Sequence, residues 1–139
     1  MLFDGLKRLA DNYMQIWNAD SEGLLEIYAA EDLVVEYTHS RRIVGISAYQ
    51  TFLRNTYQSF PDIKIEIGEI FPNKRQEQVT LLWKYSGTHQ HNVLFGIPPE
   101  GKEISVNGMT LLQIKNKKVV WERGIIDNLS LLMQLHPSK

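Results

Sequence analysis

The chain is 139 residues long, 43% hydrophobic and almost neutral, with 15 Lys and Arg against 16 Asp and Glu. This is enough apolar material for one domain with a core, expected to span residues 1–139, and too little chain for two. The charge balance leaves no basic face for a phosphate backbone, and no apolar run approaches the roughly 20 residues that cross a bilayer, so neither nucleic acid nor a membrane is an expected partner. With no cysteine in the chain, disulfides and thiolate chemistry are excluded, and any reaction falls to His, carboxylates, Tyr and hydroxyls. The opening stretch MLFDGLKRLADNY lacks the basic flank and continuous apolar centre of a signal peptide, so a cytoplasmic location is expected.

From Phe3 to Trp17 the apolar residues Leu6, Leu9, Ala10, Tyr13, Ile16 and Trp17 recur at spacings of three and four, which predicts a helix with one buried face. Asn18 to Ser21 breaks it and offers caps for a second, shorter helix carrying Leu24, Leu25, Ile27 and Tyr28. Leu33 to Tyr37 reads as a strand, followed by a polar loop and a turn at Gly45. Ser47 is a candidate cap for a third helix, in which Tyr49, Phe52, Leu53, Thr56, Tyr57 and Phe60 keep helical spacing until Pro61 stops it. Ile63, Ile65 and Ile67 then alternate with Lys64 and Glu66 as a strand, and Pro72-Asn73-Lys74 turns the chain into another from Gln78 to His89. Glu103 to Lys115 and Val119 to Ile126 make the last two strands, and Asn128 to Leu135 a closing helix. Helices followed by a meandering antiparallel sheet indicate an α+β domain.

The strand from Gln78 to His89 is the most informative. Val79, Leu81, Trp83, Tyr85, Gly87 and His89 share one face, an apolar and aromatic row that ends in an imidazole. A core needs no imidazole there and an exposed sheet needs no Trp, whereas a pocket for an apolar, oxygenated small molecule uses both. Gly87-Thr88-His89, six spacer residues, Gly96-Ile97-Pro98-Pro99-x-Gly101 and the terminal Asp127-x-Leu129-x-Leu131-Leu132-x-Gln134-Leu135 resemble the SnoaL-like polyketide cyclases, or ester cyclases. The helix end Ile16-Trp17-Asn18 and the segment Ser59-Phe60-Pro61-Asp62-Ile63 extend the resemblance over most of the chain. It implies a cone-shaped fold of the nuclear transport factor 2-like superfamily, with helices packed on a strongly bent antiparallel sheet. It also implies an aldol-type ring closure on a polyketide ester, carried out by a carboxylate acid/base with no metal and no cofactor.

Laid on that pattern without gaps, the family's catalytic aspartate falls on Gly124, and the imidazole that the founding member carries on the preceding strand falls on Thr110. Glycine takes no proton. Glu122 stands two residues earlier on the same strand face, so one reading makes it the general base, with His89 as a donor to the enolate oxygen and Tyr37 or His39 as further donors. The other readings send Glu122 to solvent or a Lys, or give it a hydrogen bond to ligand without proton transfer. Trp17, Tyr13, Tyr37, His39, Trp83, Tyr85 and Thr110 are the expected substrate-binding residues. Asp127 stands at the start of the last helix and is expected to cap it. His89 and His91 share a face but have no third ligand at a recognisable spacing, so no metal site is expected; His91 and His136 are expected to be exposed. Met109, Leu111, Trp121 and Ile125 make the sheet's second face too apolar for water, which predicts a homodimer. The expected function is cofactor-independent cyclisation or a related enolisation, isomerisation or dehydration. The alternative is a non-catalytic binding module of the same fold.

Overall fold

The first apolar stripe forms helix α1 (Leu2–Met14), and a 3-10 turn, Gln15–Trp17, continues it so that Ile16 and Trp17 are also buried. The computed structural model describes residues 2–136. Helix α2 (Leu24–Tyr28) starts at Gly23 without a side-chain cap, contrary to the expected cap from Asn18 to Ser21. Asn18 has other work: its side-chain oxygen accepts from the Ile65 N–H at 2.9 Å and fixes the end of the first helix to the sheet. Strand β1 (Ala29–Tyr37) is longer than its apolar centre suggested, and a short β2 (Ile43–Val44) pairs with it. Helix α3 (Ile46–Ser59) is preceded by Gly45 at φ 93°, so Ser47 lies within the first turn and caps nothing.

Strands β3 (Lys64–Asn73), β4 (Gln78–Thr88), β5 (Glu103–Lys115) and β6 (Lys118–Ile126) and helix α4 (Asn128–Leu135) follow close to their predicted bounds. The six strands lie in the order β2-β1-β6-β5-β4-β3. One pairing departs from the antiparallel meander: β1 runs parallel to β6. Everything between the two serves as the long crossover that a parallel pair requires, a relation between distant segments that local periodicity does not encode. The β5–β6 hairpin turns on Asn116 and Lys117 at φ 53° and 62°, the left-handed pair that matches strand twist in tight hairpins.

Register slips between Ile67 and Ile70 on β3 and between Gln113 and Ile114 on β5 interrupt the ladder, and such bulges bend a sheet. The alternation read from sequence holds along β4, where Val79, Leu81, Trp83 and Tyr85 are all buried. Each apolar side chain buried this way contributes roughly 1.5–3 kcal/mol. The two-faced strands thus drive the sheet to close on α1 and α3. Among the described residues no helix is long and apolar enough to cross a membrane.

Asp127 caps α4 as expected, its Oδ1 accepting from the Ser130 N–H at 3.1 Å. Asp127→Asn should change unfolding free energy by only a few tenths of a kcal/mol, and Asp127→Ala should cost about 1 kcal/mol, as read by urea denaturation.

Candidate functional site

Glu122 is the best-buried charged side chain of the concave face, with no exposed surface. Strand parity points it inward as expected, but what it meets is a ring of phenols drawn from three elements. Tyr13 of α1 donates to Oε1 at 2.6 Å, Tyr37 of β1 to Oε2 at 2.7 Å, and Tyr49 of α3 approaches Oε1 at 3.0 Å. Tyr37 and Tyr49 also share a hydrogen bond of 2.7 Å. These four contacts need four hydrogens, and three phenols supply three. With Glu122 ionised, Tyr49 donates to Oε1 and one phenol hydrogen is shared between two acceptors; a neutral carboxyl would instead supply the fourth hydrogen, closing a cycle from Glu122 to Tyr49 to Tyr37 and back to Glu122. Burial raises the Glu122 pKa, with the three hydroxyl bonds opposing the rise, and it is chiefly burial that pushes the three phenols upward so that they keep their protons.

Gly124 explains how Tyr37 reaches this cluster. Tyr37 pairs with Gly124 across the parallel β1–β6 ladder. A Cβ on Gly124 would stand 2.5 Å from Tyr37 Cε1 and 2.8 Å from Cδ1, so the tyrosine ring occupies the space above the glycine. The same device recurs one ladder away. Trp83 pairs with Gly108, whose hypothetical Cβ would lie 2.3 Å from the indole, and Trp83 Nε1 donates to Thr110 Oγ1 at 2.8 Å.

Beyond this cluster, α3, the loop after β4, and α4 border an open cavity of about 620 Å³. Trp17, Phe52, Phe60, Tyr85, Leu94 and Leu131 give it an apolar lining, and His39 stands in its wall. The ring of Tyr37 packs against Trp17, Phe52 and His39 at centroid distances of 6.2, 5.9 and 5.8 Å. His39 is otherwise open to solvent, belongs to the turn after β1, and makes no hydrogen bond or ion pair with a described residue. Partial desolvation lowers its pKa from the ordinary histidine value, which favours the neutral imidazole.

Among the residues predicted to bind substrate, Trp17, His39 and Tyr85 line this cavity, while Tyr13, Trp83 and Thr110 are buried behind it. Tyr37 lines a separate depression with Thr110 and Gly124. The expected pairing of Glu122 with His89 is not what the geometry gives. Glu122 is enclosed by phenols and is absent from the cavity wall, and His89 hydrogen-bonds through Nε2 to the Asn92 carbonyl. Because a carbonyl only accepts, that nitrogen carries the proton. The His89 backbone is also bonded on both sides, its N–H to Lys102 and its carbonyl from Gly101; the residue thus holds the base of the loop. His91 and His136 are exposed as expected. Sequence reasoning missed the polar edge of α3, Asn55, Thr56 and Ser59, which lines the cavity; its signal was polar residues interrupting an apolar helical stripe. Among the described residues no group of three His, Cys, Asp or Glu could hold a metal ion.

The family model for SnoaL-like polyketide cyclase matches residues 7–135. A proposed SnoaL-like polyketide cyclase from Jannaschia sp. CCS1 superposes with a TM-score of 0.80 at 15% identity, covering 99% of this chain and 93% of its own. AclR, a proposed hydroxylase from Streptomyces galilaeus, gives 0.80 at 23% identity with 96% of both chains covered. A Catenulispora acidiphila protein with a ketosteroid isomerase-like fold, solved in complex with trimethylamine, gives 0.75 at 16% identity, with 91% of each chain covered. At these identities the structures establish the fold, the α+β cone of the nuclear transport factor 2-like type. No curated protein matches the chain in sequence.

The neutral cycle makes two predictions for Glu122. Glu122→Gln keeps a donor and an acceptor and should be mild, whereas Glu122→Ala orphans the phenols and should cost on the order of 3 kcal/mol. A carboxyl whose pKa is raised in the folded chain stabilises fully below its unfolded pKa and loses that contribution as pH rises through the folded one. Urea denaturation should therefore give a fall in stability with rising pH that Glu122→Gln flattens; an unchanged slope in that variant would mean an ionised Glu122.

Proposed function

This chain belongs to the SnoaL-like polyketide cyclase family, and on that premise we propose that it binds a small apolar, oxygenated molecule in the cone and acts on it by cofactor-independent acid–base chemistry. The reaction is ring closure or a related enolisation. The observation that carries this reading is His39: of the side chains lining the 620 Å³ cavity, it alone titrates near neutrality. The volume suits a drug-sized ligand, and an aromatic side facing the polar side chains of Asn55, Thr56, Ser59, Asn92 and Asn128 suits one that is apolar but oxygenated.

In this reading the neutral imidazole takes the proton from a carbon beside a carbonyl. The C–H electron pair becomes the enolate, whose carbon can attack a second carbonyl of the same molecule. The proton then returns to the new alkoxide. Glu122 takes no proton from substrate here. Its part is to anchor Tyr37, whose ring backs both His39 and Trp17.

A specific observation favours the second reading, a binding module without turnover: the position of the family aspartate is Gly124, and Tyr37 fills the space above it. One assay separates the two. 1-Tetralone in deuterated buffer, followed by proton NMR, should lose its C2 hydrogens faster with the protein than without it. The rate should rise with pH through the depressed His39 pKa and then level off. His39→Asn should abolish the acceleration and Glu122→Gln should keep it. No acceleration by the native protein would leave the binding module as the function.

We also propose that the chain pairs with a second copy through the outer sheet face. Met109, Ile125 and Phe71 are half or more exposed and Trp121 more than a third, an apolar set larger than a solvated sheet ordinarily carries. Trp121 is held in place by a 2.7 Å bond to Glu36 and by Arg123 over its ring. Light scattering at micromolar concentration should give the dimer mass, and Trp121→Glu should reduce it to the monomer.

A further inference from the structure

Three aromatic rings stack behind the cavity. The ring centroids of Trp17 lie 5.8 Å from Tyr85 and 6.0 Å from Trp83, at interplanar angles of 17° and 18°. The indoles differ in one respect. Trp83 Nε1 and Trp121 Nε1 each have an acceptor, Thr110 and Glu36 respectively, whereas Trp17 Nε1 is buried with none. Among the described residues it is the one buried side-chain nitrogen or oxygen without a partner. An indole N–H only donates, and an orphaned buried donor is rare enough in folded proteins to call for an absent acceptor. Tyr85 adds a second free donor in the same wall: it lines the cavity with Trp17 and makes no hydrogen bond to a described residue. Burial drives its pKa up, so the hydroxyl keeps its proton. Tyr57, by contrast, gives its hydroxyl hydrogen to the Ile16 carbonyl.

We propose that Trp17 Nε1–H and Tyr85 O–H together form the recognition site for a carbonyl oxygen of the ligand. This rests on the reading of the cavity as the ligand site. Both groups are donors, so the ligand brings an acceptor, a ketone or ester oxygen, and an ammonium, which only donates, finds no hydrogen-bond partner there. The near-parallel Trp17 and Tyr85 rings of the wall, backed by Trp83, select a flat, unsaturated skeleton over a globular one. When His39 removes the adjacent proton, the electron pair of the broken C–H bond passes onto this oxygen, and two donors in a water-poor wall stabilise the charge that forms. When the product forms, the pair leaves the oxygen and His39 returns its proton. Trp17 and Tyr85 thus supply the donors that the sequence reading assigned to His89.

The test uses the full chain labelled with 15N-tryptophan, whose three indole signals are assigned by Trp→Phe variants. In the free protein the Trp17 indole proton should lie upfield of the two hydrogen-bonded indoles. Titration with 1-tetralone should move it downfield, while tetralin, the same skeleton without oxygen, should leave it in place. 1-Tetralone should bind about ten-fold more weakly to Trp17→Phe and to Tyr85→Phe, the scale of one lost hydrogen bond, while tetralin affinity changes little in Tyr85→Phe. Saturable binding of 1-tetralone, seen in the His39 ring signals, with the Trp17 indole unmoved would overturn the donor pair alone. No saturable binding of either probe would overturn the cavity reading and this inference with it.

Discussion

A carboxyl group with no exposed surface is tolerated in a small protein only when every one of its hydrogen-bonding positions is matched, because an unmatched one costs more than a typical bond returns. Glu122 meets that condition by drawing hydroxyls from α1, β1 and α3 to a single point on β6. The cluster therefore joins the two long helices to the sheet at the junction where β1 runs parallel to β6. Apolar packing supplies most of the stabilisation of the cone, but it is largely indifferent to direction. Four short hydrogen bonds with fixed geometry are not, and they set how α1 and α3 lie across the concave face.

The cluster also divides the interior. On one side is a sealed polar centre in which protons are already shared; on the other is a larger cavity with an aromatic lining and His39 at its edge. Tyr37 is the partition between them, its hydroxyl committed to Glu122 and Tyr49 and its ring presented to Trp17, Phe52 and His39. An acid/base group placed in the sealed half has every proton spoken for. One placed at the rim has solvent to exchange with.

How much of this was legible in the sequence depended on range. The alternation along β4, the β5 and β6 strands and the α4 helix with its Asp127 cap are local patterns, and they were read with their bounds nearly intact. The face of Glu122 was also legible, since parity along one strand is local. Its partners were not, because Tyr13, Tyr37 and Tyr49 lie 109, 85 and 73 residues away and each reads on its own as an ordinary core aromatic. The same blindness misassigned His89. Its position on the buried row was correct, but the loop carbonyl of Asn92 that accepts its Nε2 hydrogen bond depends on how residues 90–92 turn, with His91 at φ 71°. Sequence located the wall of the cavity on β4 and left its opposite side, on α3, unseen.

The ring of Tyr37 above Gly124 carries a consequence for the engineering of this chain. A position usually examined one residue at a time is here half of a pair, since a side chain at 124 and a six-membered ring at 37 claim the same volume. Placing an aspartate at 124 would displace the ring, release a hydroxyl from Glu122 and Tyr49, and leave a polar cluster short of one member. Shrinking residue 37 first would leave a void over bare glycine. Either single change leaves a poorer arrangement, so the two positions are sterically coupled. A designer wishing to graft the aspartate-based chemistry onto this cone would have to exchange residues 37, 122 and 124 together.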